Sequence, residues 1–321
     1  MDKQRLHIVI LDDWDDICAT APAVQRLRGS FDVTIHTARL KGADLAAAIA
    51  KADILIPFRE RSRIRAKELA GARKLRLIAQ TGGGAAHVDT AALRDAGITI
   101  TLTPGGSAPS VGELVMGLAL AHDHRIVVGD RLMQQGEWQT LLGRDTGTQS
   151  LGLLGFGATA QAVVTPAQAV GMCVAAWSRS LSAADVPDGV SVAPSIEALL
   201  GQSDILSVHL PLNGTTRGFM DAERIAAMKP GALLINTSRG AIVDTDALIA
   251  AIERGHLRGA CLDVFDPEPL PGDHPLRRRG EVILTPHVGW TTADTIHRFL
   301  AVCEENIHAF LAGSPSNVLE H

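Results

Sequence analysis

The chain has 321 residues, 46% of them apolar, and a formal net charge of −5, enough length and apolar content for about two buried cores. Its mild acidity, with no basic run and no aromatic-basic interleaving, leaves nucleic acid without a footprint, and no apolar run reaches the roughly 18 residues of a membrane span. Cys18, Cys173, Cys261 and Cys303 lie far apart without C-x-x-C spacing, so neither disulfides nor structural zinc is expected and a reducing, cytoplasmic setting is. The opening MDKQRLHIVILDDWDD passes from charge through a short strand back to acid, which is not the pattern of an export signal.

In chain order, the first hundred residues alternate short apolar runs, LHIVIL, FDVTIHT, DILIP, LRLIAQ and ITITLT, with helix-length connections. This alternation predicts a parallel sheet of the flavodoxin-like kind, with no glycine-rich nucleotide turn in it. TPGG, Thr103 to Gly106, punctuates a junction, and SVGELVMGLALAHDHRI after it reads as a helix leading into a second domain. From residue 151 onward LGLLG, CVAAW, ILSVHL, ALLINT, ACLDVF and VILT repeat the strand-helix alternation. Asp221 and Asp244 stand where N-caps are needed, and Gly231 and Gly255 follow helices as C-terminal breakers. The last segment, TADTIHRFLAVCEENIHAFLAG, is an amphipathic helix expected to return to the first domain. The expected fold is therefore α/β, two doubly wound parallel-sheet domains, with residues 104–293 inserted into a discontinuous domain of residues 1–103 and 294–321.

Within the second domain, LGLLGFGATAQAVV places a buried strand, a glycine turn and a helix start in succession. Gly155 makes the tight turn, Gly157 lets backbone approach a pyrophosphate, and the free N–H groups at the helix start face the phosphates; this is the Rossmann arrangement. The third small position of the fingerprint is Ala160, and alanine suffices where helix crosses strand. Taken alone the glycines also fit an ordinary strand-helix turn. An unmodified adenosine ribose calls for Asp or Glu at the end of the next strand, yet CVAAW ends in Trp177-Ser178-Arg179-Ser180. Ser178 and Arg179 offer donors to a 2′-phosphate, which favours NADP(H) over NAD(H); an arginine stacked on the adenine of either cofactor is the alternative. Pro166 falls inside the following helix, and a proline there removes a hydrogen bond, so a kink near Thr165 is expected.

Three polar side chains follow the last three strands: Arg239 in INTSRGAIVD, Glu268 in CLDVFDPEPL and His287 in LTPHVGW. Ligands of open parallel sheets bind outside the carboxyl ends of strands, so the three can share one cleft. Arginine matches a carboxylate through paired hydrogen bonds, histidine moves a proton near neutral pH, and glutamate beside it orients the ring. The set suits reduction of a 2-oxo acid. Singly, each has a plainer reading: Arg239 capping a helix, Glu268 on a solvated loop, His287 bonded to a carbonyl.

The run LLINTSRGAIVDTDALIAAIERGHLRGACLDVFDPEPL, with VILTPHVGW after it and TPGGSAPSVGELVMGLAL, GFGATA and SVHLPLNGTTRGFM before it, resembles the D-isomer-specific 2-hydroxyacid dehydrogenases, which include glyoxylate/hydroxypyruvate and phosphoglycerate dehydrogenases. The resemblance implies that Arg239 binds the substrate carboxylate, that His287 is the acid/base and that Glu268 supports it. It implies that Asp263 contacts the nicotinamide carboxamide, that His209, Leu210, Pro211, Thr237 and Ser238 line the cofactor, and that the chain forms a homodimer through the helix after TPGG. In TGGGAAHVD, the Gly83 and Gly84 amides match the family's substrate loop, with His87 where many members have asparagine, and Arg59 in PFRER fits a further substrate-side arginine. Ala158 and Thr159 replace the Arg-Ile common in the pyrophosphate turn. A dinucleotide-sensing protein similar to the related corepressors is the second reading, and formate dehydrogenase a third; the latter pairs its histidine with glutamine, where this chain has Glu268.

His122-x-His124 with Asp123 resembles a metal cluster, but alternate helical positions face different ways, so a solvated turn and no metal are expected. Trp14, Trp138 and Trp290 read as packing residues, with Trp290 close enough to His287 in sequence to shape a pocket.

Overall fold

Each apolar run of the first hundred residues is too short for a helix and is bounded by polar or glycine-containing turns, and each forms a strand. The computed structural model describes residues 5–319; residues 1–4 and 320–321, at the ends of the expected first domain, lie outside the described residues. Two compact units result, one ending at Ser107 and resuming at Thr291, the other spanning Ala108–Trp290.

In the first unit β1 (His7–Leu11), β2 (Asp32–Ile35), β3 (Ile54–Pro57), β4 (Leu77–Ala79) and β5 (Thr99–Thr101) form an all-parallel sheet in the order β2-β1-β3-β4-β5. Because side chains alternate across a strand, β1 sends Ile8 and Ile10 to one face and Val9 and Leu11 to the other. The first face is covered by Val24 and Leu27 of the helix Pro22–Ser30 and by Ile296, Leu300, Cys303 and Ile307 of the terminal helix Ala293–Leu311. Arg26 clamps that pair of helices through a fork onto Glu304, Nη2 to Oε2 at 2.6 Å. Leu45, Ala48 and Ile49 of the helix Gly42–Lys51 cover the second face. With both faces buried, every functional group this sheet offers lies in the loops at its edges.

The second unit adds β6 (Ser150–Leu154), β7 (Cys173–Trp177), β8 (Val190–Val192), β9 (Ile205–Val208), β10 (Ala232–Asn236), β11 (Leu257–Leu262) and β12 (Val282–Leu284), all parallel in the order β12-β11-β10-β9-β6-β7-β8. The chain reverses its direction of winding between β6 and β9, and such a switch point opens a crevice at the carboxyl ends of the two strands. Asp221 and Asp244 cap their helices, accepting from Arg224 N at 2.9 Å and Ala247 N at 3.0 Å, and Gly231 and Gly255 follow with φ of 78° and 69°. The edge strand β8 was not among the expected runs: three residues, one of them Ser191, carry too little apolar periodicity.

The helix Ala158–Val170 is continuous through Pro166. Val163, Val164 and Ala167 are buried in one core, and Gly112 of the helix Ala108–Asp123 backs so closely onto Ala162 that a Cβ there would sit 2.9 Å from the Ala162 carbonyl. Packing on both sides of the proline therefore outweighs the lost hydrogen bond. Of the expected solvated turn only His124 is exposed; His122 and Asp123 are buried, and Asp123 accepts from Thr146 Oγ1, Gln149 Nε2 and Arg258 Nη2 at 3.0, 2.7 and 2.9 Å. Trp138 is 87% exposed and packs no core, and the half-exposed Trp14 lies under the Arg61 guanidinium, 4.5 Å from its ring centroid. Trp290 is buried.

Candidate active site at the carboxyl edge of the second sheet

β6 delivers the chain to Gly155 at φ 90°, where the amide donates to Trp177 O at 2.8 Å and an added Cβ would meet His209 O at 2.8 Å. Only glycine fits both the angle and the space. Beside it Gly157 caps the helix Ala158–Val170 without a side chain, and the volume where its Cβ would stand is open. The first amides of that helix, at Ala158 and Thr159, follow directly on that open position, and a helix N-terminus of this kind suits an anion. Ala160 is fully buried where the helix crosses the sheet, so its small side chain meets the packing requirement of the fingerprint.

Ser178 is half-buried and Arg179 exposed in the turn after β7. The nearby Asp185 is held by Ser182, whose backbone N–H and Oγ donate to it at 2.9 and 2.6 Å, so that carboxylate is tied within its own turn. On the other side of the switch point His209, Leu210 and Pro211 follow β9, and Thr237 and Ser238 follow β10. Ser238 Oγ donates to Leu210 O, joining the two loops. His209 Nε2 and Thr237 Oγ1 are buried without a hydrogen-bond partner among the described residues. Burial pushes the His209 pKa down to about 4, so the ring is neutral at pH 7. Two orphaned polar atoms beside an open glycine turn fit a bound group that supplies the missing partners.

Two of the three chemistry-bearing side chains meet directly, and Gly240, next to the third, backs onto Phe265. His287 Nδ1 stands 2.9 Å from Glu268 Oε2, and Glu268 Oε1 accepts from Phe265 N at 2.9 Å. Burial works against ionising Glu268, but the His287 hydrogen bond, the Phe265 amide and the charges of His287 and Arg239 together hold its pKa below the ordinary value of 4.5. The Arg239 charge is the smallest of these contributions. Arg239 is exposed, its Nη1 donating to Ser238 O at 2.7 Å, and His287 sits at φ 56°, a left-handed conformation that costs a non-glycine residue about 1–2 kcal/mol.

What holds these conformations was not evident from composition. Asn236, buried at the end of β10, accepts from Ser238 N and donates to Arg239 O, both at 3.0 Å. Asp263, 1% exposed at the end of β11, accepts from Thr285 Oγ1 at 2.5 Å, Val288 N at 2.8 Å and Gly289 N at 2.9 Å. Expected as a cofactor contact, Asp263 thus commits three acceptor positions to the loop carrying His287; a carboxylate has about four. The legible signal for Asn236 was a lone polar residue closing the apolar run LLIN. Thr285 and the Phe265 amide had none.

Arg59, Gly83 and Gly84 belong to the first unit, after β3 and β4. Arg59 is buried at φ 51°, and a Cβ on Gly82, itself at φ 101°, would overlap the Arg59 guanidinium. Guanidinium and glycine loop therefore lie against each other, with Gly83 exposed and Gly84 half-buried beside them.

A parallel α/β unit with a glycine turn at its switch point and an Arg-Glu-His cluster at its strand ends defines a nicotinamide-dependent dehydrogenase. Residues 116–289 match the family model described as D-isomer specific 2-hydroxyacid dehydrogenase, NAD binding domain. The chain is 34% identical over 282 residues to a hydroxypyruvate reductase of Thermotoga maritima, covering 86% of this chain and 90% of that one. It is 37% identical over 261 residues to a glyoxylate reductase of Aeropyrum pernix, covering 78% of each. Among solved structures, the TT0316 protein of Thermus thermophilus is similar with a TM-score of 0.84 at 37% identity, over 98% of this chain and all of that one. The chain belongs to the D-isomer specific 2-hydroxyacid dehydrogenase family.

Proposed function

We propose that this protein reduces small 2-oxo acids of the glyoxylate or hydroxypyruvate type to the corresponding 2-hydroxy acids, of D configuration where C2 is a stereocentre, with His287 as proton donor, Arg239 as carboxylate clamp and Glu268 as partner of the imidazole. The observation that carries this reading is the His287–Glu268 contact of 2.9 Å beside Arg239. The reductases named above support the substrate class. A bound reduced nicotinamide dinucleotide supplies the hydride. Gly155, Gly157 and the Ala158 and Thr159 amides would hold its pyrophosphate, and His209, Leu210, Pro211, Thr237, Ser238 and Asp263 its nicotinamide half.

Arg239 pairs with the substrate carboxylate and turns the 2-oxo group toward His287. As charge develops on the carbonyl oxygen, His287 Nε2 delivers its proton there, while Nδ1 keeps its bond to Glu268. In the reverse direction the neutral ring takes the proton back. Arg59, with the Gly83 and Gly84 amides, is read as a second donor set for the substrate. Because the β7 turn presents Ser178 and Arg179 and no free acid, NADPH is the favoured reductant. The protein is read as a homodimer, but the helix after TPGG leaves only Pro109, Glu113, Gly117 and partly exposed neighbours on its outer side, so the adjoining segment 126–142 is the better candidate for contact.

A spectrophotometric panel of 2-oxo acids against NADPH and NADH tests the reading. Turnover of glyoxylate or hydroxypyruvate, with kcat/KM about tenfold higher for NADPH and that preference erased in Arg179→Ala, is expected. No turnover of any 2-oxo acid would overturn the function, and an NADH preference would overturn the role of Arg179. Arg239→Ala should lower kcat/KM about a hundredfold, with Arg239→Lys recovering only part because a point charge lacks the fork.

A further inference from the structure

His87 is buried in the loop after β4 and has no place in the chemistry above. Its Nε2 lies 3.2 Å from Oε1 of Gln80, a side chain with no solvent exposure. Gln80 Nε2 donates to Thr81 O at 2.8 Å and to Arg59 O at 3.4 Å. An amide whose nitrogen serves two carbonyls presents only its oxygen on the other side, so Oε1 accepts and His87 Nε2 carries the proton. Burial lowers the His87 pKa, opposed by Glu60 and reinforced by the charges of Arg59 and Arg65, so the ring is a neutral donor of one tautomer at pH 7.

What this relay reaches is a strained residue. Arg59 holds φ 51°, a conformation that non-glycine side chains adopt only where surroundings over-determine it. Arg59 N donates to Thr81 Oγ1 at 2.8 Å, Thr81 Oγ1 donates to Pro57 O at 2.9 Å, and Gln80 takes the Arg59 carbonyl. Both polar backbone groups of Arg59 are therefore fixed by neighbours that follow β4, and its guanidinium is directed against Gly82, 6.0 Å from the Phe299 ring centroid. Gln80 has one free orientation fewer because His87 locks it. We propose that His87 is the positioning residue of the substrate-side arginine: through Gln80 it fixes the left-handed turn at Arg59 and hence the direction of the guanidinium beside the Gly83–Gly84 amides. The inference rests on the reading of Arg59 as a substrate contact.

A double-mutant cycle on the purified full chain, with glyoxylate and hydroxypyruvate and NADPH, tests it. His87→Leu keeps the volume and removes the donor; KM for the 2-oxo acid should rise about tenfold while kcat stays within about twofold. The dissociation constant for NADPH should not move, His87→Gln should restore most of the KM, and His87→Leu should add nothing in the Arg59→Ala background. Gln80→Met, which cuts the relay at its other member, should reproduce the KM rise and covers the case in which His87→Leu does not fold. An Arg59→Ala variant with unaltered KM would overturn the substrate role of Arg59 and the inference with it. If Arg59→Ala raises KM but His87→Leu leaves it unaltered, adds to it fully, or loses kcat and NADPH affinity together without rescue by Gln, the positioning role alone is overturned.

Discussion

The imidazole of His287 is constrained from two directions. Asp263 anchors the loop on both sides of it, through Thr285 Oγ1 and the amides of Val288 and Gly289, while Glu268 takes Nδ1 at 2.9 Å. The first constraint maintains the left-handed backbone and the second fixes the tautomer, leaving Nε2 to carry the exchangeable proton. Since the Glu268 pKa lies below 4.5, a full negative charge faces the ring throughout the neutral range. Glu268→Gln keeps the side-chain shape and removes that charge from beside the ring; under the proposed reaction, kcat for 2-oxo-acid reduction at pH 7 should fall about tenfold while KM stays within about twofold. Steady-state kinetics read both parameters, and an unchanged kcat would remove Glu268 from this role. Arg239, Glu268 and His287 were legible as candidates because each stands in a loop that follows a strand, where a parallel sheet exposes side chains. Asn236 showed only as the polar end of an apolar run, and Thr285 not at all, because nothing in a lone hydroxyl says that it will bond Asp263.

At the level of elements, the junction of the helix Ala108–Asp123 with β11 shows how a local reading failed. His122-x-His124 was read as a solvated turn because alternate helical positions face different ways. Here Arg258 of β11 and the turn Thr146–Thr148 close over Asp123, leaving its side chain with no exposure and that of Arg258 with 11%. The relevant partners are more than a hundred residues apart in one case, so no window along the chain contains them. Burial by itself raises the Asp123 pKa, yet bonds and charge from His122, Arg258, Gln149 and Thr146 bring it below 3.8; on Arg258 burial outweighs the pull of Asp123 and its pKa falls. With a folded pKa below the unfolded one, the Asp123 contribution is fully present above pH 3.8 and is lost as the pH drops through the folded value. Asp123→Ala strands a nearly buried guanidinium and should cost about 3–5 kcal/mol in urea unfolding at pH 7. Between variant and wild type the gap should narrow only well below pH 4, in a titration whose ordinary midpoint is about 3.9. A gap that is small at pH 7 would mean that water replaces the carboxylate at little cost. By contrast, the strands and capped helices were legible along the chain, because alternation, Asp caps and terminal glycines are local signals; the three-residue β8 fell below what a local pattern can carry.

At the scale of the whole molecule, each unit has a parallel sheet buried on both faces, so neither leaves a core open that a second copy must complete. The unburied apolar surface lies elsewhere. The helix Ile126–Gln134 has no buried residue, and with the segment after it exposes Ile126 at 56%, Met133 at 55%, Trp138 at 87% and Leu142 at 97%. Isolated exposed apolar side chains are ordinary, and four within one stretch that lacks core contacts of its own are what supports placing the proposed homodimer contact here. Removing one tryptophan side chain of roughly 200 Å² from water contributes about 5 kcal/mol at 25 cal/mol per Å², and a two-fold arrangement would count that contribution twice. The homodimer reading therefore places its main contacts on 126–142. Light scattering at micromolar concentration should give twice the 33.9 kDa chain mass for the wild type and the single mass for a Trp138→Ser, Leu142→Ser double variant. The sheets should remain intact in that variant, because neither side chain touches a core, and unchanged far-ultraviolet circular dichroism checks this. A variant that stays dimeric would move the interface away from this segment, and a wild type that is monomeric at the same concentration would dispose of the homodimer itself.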